Sequence, residues 1–292
     1  MASDARIGQT PVVTPAPRRP KTRWGVHLAL MVVCFFVALP LLYALQVATL
    51  TLEGSYLSPP QFFPPGGDLL NNIAQLFERN NFGVLFVNTT LIASVVAIGK
   101  TVLALLAGLA FVYFHFPGKA FLFFFILFTL LLPTEITLLP LFRIMSELGW
   151  GQTAPRLALT IPFLATATGT FLFRQHFTNI PRELAEAAQI DGATPVRFLF
   201  AILIPMSWNV IGAHLLVQFI SSWNQYLWPV LIVQDPTQQV IQVGVRQTLA
   251  AGLQVDFGLL MTAGFLASMP PLILFVVLHK QFMNGFSLTR DR

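Results

Sequence analysis

Lys100 and Glu135 stand deep inside long apolar runs, where an ionisable side chain costs most. A central lysine costs at least about 2.5–3.5 kcal/mol on insertion scales, so such a group faces a partner or a watery cavity. Three readings of Lys100 follow. It pairs with Glu135 or with neighbouring polar groups for structure; it supplies positive potential to a cavity that passes a phosphorylated solute; or it snorkels to the interface. Asn224 and Gln225, in the stretch Trp223 to Pro229, have no reason to face lipid. They are candidates to hydrogen-bond solute hydroxyls or a second membrane chain. The aromatic residues around them, Trp223, Tyr226 and Trp228, suit a belt at the membrane interface. Lys100, Glu135, Asn224 and Gln225 together form the candidate solute pathway.

Other chemistries are excluded. Ser94 to Thr101 reads Ser-Val-Val-Ala-Ile-Gly-Lys-Thr and imitates a phosphate-binding loop. Its first glycine is missing, no strand precedes it, and N–H groups locked in a helix cannot open toward a phosphate. No Ser/His/Asp set, carboxylate pair or Cys/His metal spacing occurs, and His27, His115, His176, His214 and His279 are scattered. No catalytic residue, metal ligand or bound cofactor is expected, so the chain is not expected to be an enzyme. The single cysteine, Cys34, cannot form an internal disulfide.

Residues 183–205 carry a different kind of chemistry, that of docking. Asn179-Ile180-Pro181 begins a helix, with proline where a missing N–H does no harm. Glu183 and Glu186 fall in its first turns, where negative charge suits the helix dipole. Leu184, Ala187, Ala188 and Ile190 supply apolar contacts, and Asp191-Gly192 ends the helix through a left-handed glycine. Pro205 closes the segment. The expected product is a short rigid knob between two apolar runs.

Those runs dominate the chain. Of 292 residues, 55% are hydrophobic and only 10% charged, and the mean hydropathy is +0.71. Soluble domains carry about 25% charged residues, so this is an all-α polytopic membrane protein. A bilayer core needs roughly 20 apolar helical residues. Six spans are expected, at about 24–52, 84–114, 120–142, 156–177, 206–233 and 257–282, with the knob in a loop over 178–205. Residues 1–23, rich in proline and basic residues, read as a disordered tail, and 287–292 as a short second tail. Residues 53–81 read as an external loop, and a short helix lying on the membrane surface is one reading of its polar stretch from Asn71 to Asn81. The net charge of +5 concentrates beside the apolar runs, as orientation by the positive-inside rule produces, and not as nucleic-acid binding. The N-terminal tail, Lys119, Arg174, Arg182, Arg197, Lys280, Arg290 and Arg292 fall on one side, which makes both termini and the knob cytoplasmic.

The pattern Glu186-Ala187-Ala188, three residues to Gly192, nine to Ile202 and then Pro205 resembles the EAA loop of ABC-importer permeases. Ile204 stands where that family usually has leucine. Further stretches are similar to the carbohydrate-type group that includes the maltose permease. They include Ile98 to Thr101, Phe114 to Lys119, Leu132 to Glu135, Ala165 to Gln175 and Trp223 to Pro229. Within that group the likeness is greatest to permease subunits for sn-glycerol-3-phosphate. The resemblance covers about residues 24–286. It implies the type I importer fold in a bacterial inner membrane. It implies a second, non-identical permease, two cytoplasmic ATPase copies that hold ATP and Mg, and an external solute-binding protein. It implies ATPase coupling through Glu183, Glu186, Ala187, Ala188, Asp191, Gly192 and Pro205. A sugar or oligosaccharide importer is the alternative within the class. An ion-coupled secondary transporter would need an inverted repeat and several midplane carboxylates, and a signalling protein would need a soluble domain; neither is seen.

Overall fold

The computed structural model describes residues 24–56, 65–79, 81–250 and 255–286; the side chains of 79, 134, 135, 248–250 and 286 are not described. The two expected tails, the prolines Pro59, Pro60 and Pro64, and the charges of Arg79, Arg290 and Arg292 lie outside that description. Helix is the only regular structure among the described residues.

The chain divides into a first unit ending at Tyr43 and a second beginning at Ala44. The boundary falls within helix α1, Trp24–Ala48, which has an internal Pro40 and lacks Asp, Glu, Lys and Arg. The second unit continues with α2 (Leu69–Arg79), α3 (Phe82–Tyr113), α4 (Lys119–Thr129) and α5 (Thr134–Glu147). Then come α6 (Pro155–Phe163) and α7 (Ala167–Thr178), bent by 41°, and α8 (Arg182–Ile190). The arm α9 (Pro195–Met206) meets α10 (Trp208–Trp223) at 83°. The chain ends with α11 (Leu227–Ile232), α12 (Ile241–Ala250) and α13 (Phe257–Phe286).

Helix α3 is the axis of the second unit. Its residues enter three clusters: Leu105 and Leu109 beside α7 and α8, Ile92 and Val96 beside α6 and α11, and Phe82 and Leu85 beside α10 and α13. Gly108 permits a close approach of α3 to α7. A Cβ there would stand 2.8 Å from the Cβ of Phe173 and 3.1 Å from its carbonyl carbon, so α3 and α7 pack backbone to backbone. Small residues at helix crossings give membrane helices the van der Waals contact that the hydrophobic effect cannot supply in lipid.

Among the described residues, α1, α3 and α13 are the unbroken helices long and apolar enough to cross a membrane. The third expected span, 120–142, is split into α4 and α5 at residues 130–133. Pro133 stands at the break and disfavours helix in the residue before it. The fifth, 206–233, is also interrupted: α10 stops at Trp223 and α11 is separate. Pro229 lacks the N–H that would bond to Gln225, which breaks the helix there. The loop assigned to 178–205 already contains all of α9 but its last residue. Within α9, residues Leu199–Leu203 form a π-helix that ends two residues ahead of Pro205, because proline cannot donate to the carbonyl four residues back.

The surroundings of the loop helix and of the tryptophans are set by packing. Helix α2 packs one face on the rest of the unit, with Leu76 fully buried and Asn72 Nδ2 donating to the carbonyls of Ala48 and Leu50 at 3.0 and 3.1 Å. Trp223 and Trp228 are core residues and not belt residues, at 1% and 3% exposure. Their indole N–H groups donate to the carbonyls of Ala267 and Ala158, each at 3.0 Å. Buried Trp of this kind requires such a partner.

Candidate functional site

The knob expected from the sequence is α8. Pro181 precedes it, Glu183 lies in its first turn, and Gly192 follows it at φ +73°. The N–H of Ala193 donates to the carbonyl of Ala188 at 2.9 Å and that of Gly192 to the carbonyl of Gln189 at 3.0 Å. This pair of bonds is the Schellman closure, which satisfies two orphan carbonyls of the last turn. Ala185 and Ala188 are buried against Leu105, Phe177 and Phe198. Small side chains on the inner face bring the helix close to the end of α3.

The outer face carries Glu183, Leu184, Glu186, Ala187, Ile190 and Asp191, all exposed. Ile190 is 86% exposed, although it is large and apolar. Six of the seven expected coupling residues therefore divide by role: Glu183, Glu186, Ala187 and Asp191 face outward, Gly192 shapes the end, and Ala188 turns inward. Ala188, expected to supply an apolar contact, supplies it on the inner face, where the helical period places it. Pro205, the seventh, lies in α9 beyond the knob and is exposed.

The other candidate residues separate. Lys100, near the middle of α3, donates from Nζ to Gln218 Oε1 of α10 at 3.0 Å. Glu135 lies in the first turn of α5, and its side chain is outside the description. Asn224 caps the end of α10 and accepts from Gln242 Nε2 at 3.4 Å. With Gln242, Ser268 and Trp223 it lines a cleft of about 360 Å³. Gln225 is half-buried beside it in the break before α11 and does not line that cleft. The phosphate-loop imitation, Ser94–Thr101, lies wholly inside α3.

Beside Lys100, Thr101 Oγ1 donates to the carbonyl of Ala97 at 2.7 Å and lies 3.1 Å from Nδ1 of His214. Since that hydroxyl hydrogen is already committed, Nδ1 carries the proton and donates to Oγ1. His214, Gln218 and Ser222 recur every four residues along α10 and are all buried. They form a polar seam between α3 and α10 that leads toward the Asn224 cleft. The sequence reading passed over His214 and Gln218. Their four-residue spacing with Ser222 was the available signal, hidden because isolated polar residues in an apolar run look alike one at a time.

Comparison with known proteins bears on this arrangement. The family described as "Binding-protein-dependent transport system inner membrane component" matches residues 100–286. The sn-glycerol-3-phosphate transport system permease protein UgpE of Brucella melitensis is 35% identical over 276 residues, covering 92% of this chain and 97% of that protein. Its counterpart in Agrobacterium fabrum is 35% identical over 275 residues, covering 91% and 96%. In fold, the chain is similar to a bacterial ABC transporter involved in the import of the acidic polysaccharide alginate. That match has a TM-score of 0.76 at 20% identity, over 92% of this chain and 100% of the other.

Proposed function

The chain belongs to the family of binding-protein-dependent transport system inner membrane components, and from that premise we propose that it carries sn-glycerol-3-phosphate or a related glycerophosphodiester. It is a non-catalytic permease subunit of an ABC importer, and ATP is hydrolysed on separate subunits. Its assembly holds a second, non-identical permease, two copies of an ATPase and an external solute-binding protein. The outer face of α8 docks on one ATPase copy, with both termini on that side of a bacterial inner membrane.

The observation that carries the substrate is Lys100. Its ammonium is held by a neutral amide, that of Gln218. Among the described side chains no carboxylate lies within 4.0 Å of it. A neutral sugar leaves such a charge uncompensated in the membrane, whereas a phosphate ester neutralises it. Likeness to the permease proteins for sn-glycerol-3-phosphate supports the same choice.

The test is ATPase activity of the assembled transporter in lipid, with its solute-binding protein. It compares no ligand, sn-glycerol-3-phosphate and a panel of neutral sugars. Stimulation by the phosphate ester alone is expected. Stimulation by sugars alone keeps the importer and overturns the substrate.

A further inference from the structure

The cleft at Asn224 is walled by three helices. Trp223 and Asn224 come from the end of α10, Gln242 and Val245 from α12, and Gly264, Ser268 and Pro271 from α13. Spacings of three, four and seven residues put the contribution of α12, and that of α13, on one side of its helix. The α13 wall is fixed by its own sequence. Pro271 has no N–H to give the carbonyl of Ala267. The indole of Trp223 donates to that carbonyl instead, at 3.0 Å. The volume of about 360 Å³ falls within the roughly 300–1,000 Å³ of small-molecule sites. A Cβ at Gly264 would meet nothing within 4 Å, so α13 leaves this space open.

The chemistry of the lining selects what fits. None of its side chains is ionisable. Gln242 Nε2 donates to Asn224 Oδ1 over a long 3.4 Å. Among the described residues, Asn224 Nδ2 and Gln242 Oε1 make no hydrogen bond. Ser268 Oγ spends its hydrogen on the carbonyl of Phe265 at 2.7 Å, which leaves it an acceptor. The cleft therefore offers both amide N–H donors and acceptor oxygens. A hydroxyl group gives and takes, and uses both. A phosphate dianion only accepts, and it would face the oxygens of Gln242 and Ser268. Trp223, Val245 and Pro271 add an apolar surface for a carbon chain.

We propose that this cleft is the hydroxyl-recognising subsite of the solute pathway, with Gln242 and Ser268 as specificity-determining residues beside Asn224. It takes the glycerol hydroxyls of the solute. The phosphate is recognised separately, at Lys100 of α3. A site built to hydrogen-bond a hydroxyl rejects an analogue that lacks it, because its polar groups are then left unpaired. The inference rests on the proposed substrate, a hydroxylated phosphate ester, and adds which side chains tell it from an ester with fewer hydroxyls.

The experiment measures initial uptake by the assembled transporter in proteoliposomes, with its solute-binding protein. It compares sn-glycerol-3-phosphate with 3-hydroxypropyl phosphate, which lacks the middle hydroxyl. The solute-binding protein is the same throughout, so a changed ratio of rates belongs to the membrane part. Gln242→Leu keeps the bulk and removes the amide. Its preference for sn-glycerol-3-phosphate is expected to fall about tenfold, the effect of one lost hydrogen bond to the solute. Ser268→Ala should shift the ratio the same way, and decides if Gln242→Leu does not assemble. An unchanged ratio overturns the proposal, even if both rates fall together. Gly264→Leu fills the cleft; it is expected to abolish uptake while both permeases and the ATPase stay together. It decides alone if the wild type does not carry the analogue, and normal uptake by it overturns the proposal. So does loss of the second permease, which makes the cleft a subunit interface. If the wild type carries neutral sugars and neither ester, the phosphate reading falls by itself. Sugar uptake by Gly264→Leu then decides the cleft: lost if it binds hydroxyls, normal if it does not.

Discussion

At Lys100 an ammonium near the middle of a long apolar helix bonds to the side-chain oxygen of Gln218, and among the described side chains no carboxylate lies within 4.0 Å of it. Replacing it with methionine keeps most of the stem and removes the charge. Lys100→Met is expected to assemble with its partners and to abolish solute uptake, measured as accumulation in proteoliposomes. Normal uptake, or lost assembly, would return Lys100 to a structural role. One helical turn of α10 away, His214 depends on Thr101 in another manner. Thr101→Val keeps the shape but leaves the proton on His214 Nδ1 without its acceptor. A buried donor left unpaired costs about 1–3 kcal/mol. The expected outcome is a lower melting temperature of the purified complex, with the solute specificity unchanged.

The helix α8 works as an element because its two ends are fixed. Pro181 sets one, and Gly192 the other at φ +73°. An L-residue in that left-handed conformation costs roughly 1–2 kcal/mol. Gly192→Ala is therefore expected to fray the last turn and to lower solute-stimulated ATPase activity, while Gly192→Asn, which tolerates the conformation better, should lose less. The outer face is a separate matter. Ile190 is 86% exposed and contributes little to the fold. Ile190→Asp should change stability by no more than about 0.5 kcal/mol and yet reduce co-purification of the ATPase subunit. If the ATPase is retained in full, α8 does not dock through this face. Pro205 acts on the neighbouring arm by forcing the π-turn at Leu199–Leu203, ahead of the 83° bend at Ser207. Under the proposed docking role, knob and bent arm are the two parts that would pass ATPase movement to the membrane helices.

The whole molecule is a helical membrane subunit that needs partners to do work. Purified alone, it is expected to hydrolyse no ATP, and a phosphate-release assay should register activity only once ATPase subunits are added. Hydrolysis by the chain alone would place a catalytic site in it. The sequence by itself determined the class, the apolar runs and the existence of α8. These depend on local quantities: hydropathy over a helix length, a proline before the knob and a glycine after it. It also marked Lys100 as costly without identifying what holds it. Tertiary structure decided the rest. Gln218 lies 118 residues from Lys100, and their meeting depends on how α3 and α10 cross. The burial of Trp223 and Trp228 and the packing of α2 likewise depend on neighbours distant in the chain. Even the breaks at Pro133 and Pro229, though written as prolines, were masked by apolar residues that read as continuous spans. Hydropathy reports what lipid tolerates, and only packing reports which side chain meets which.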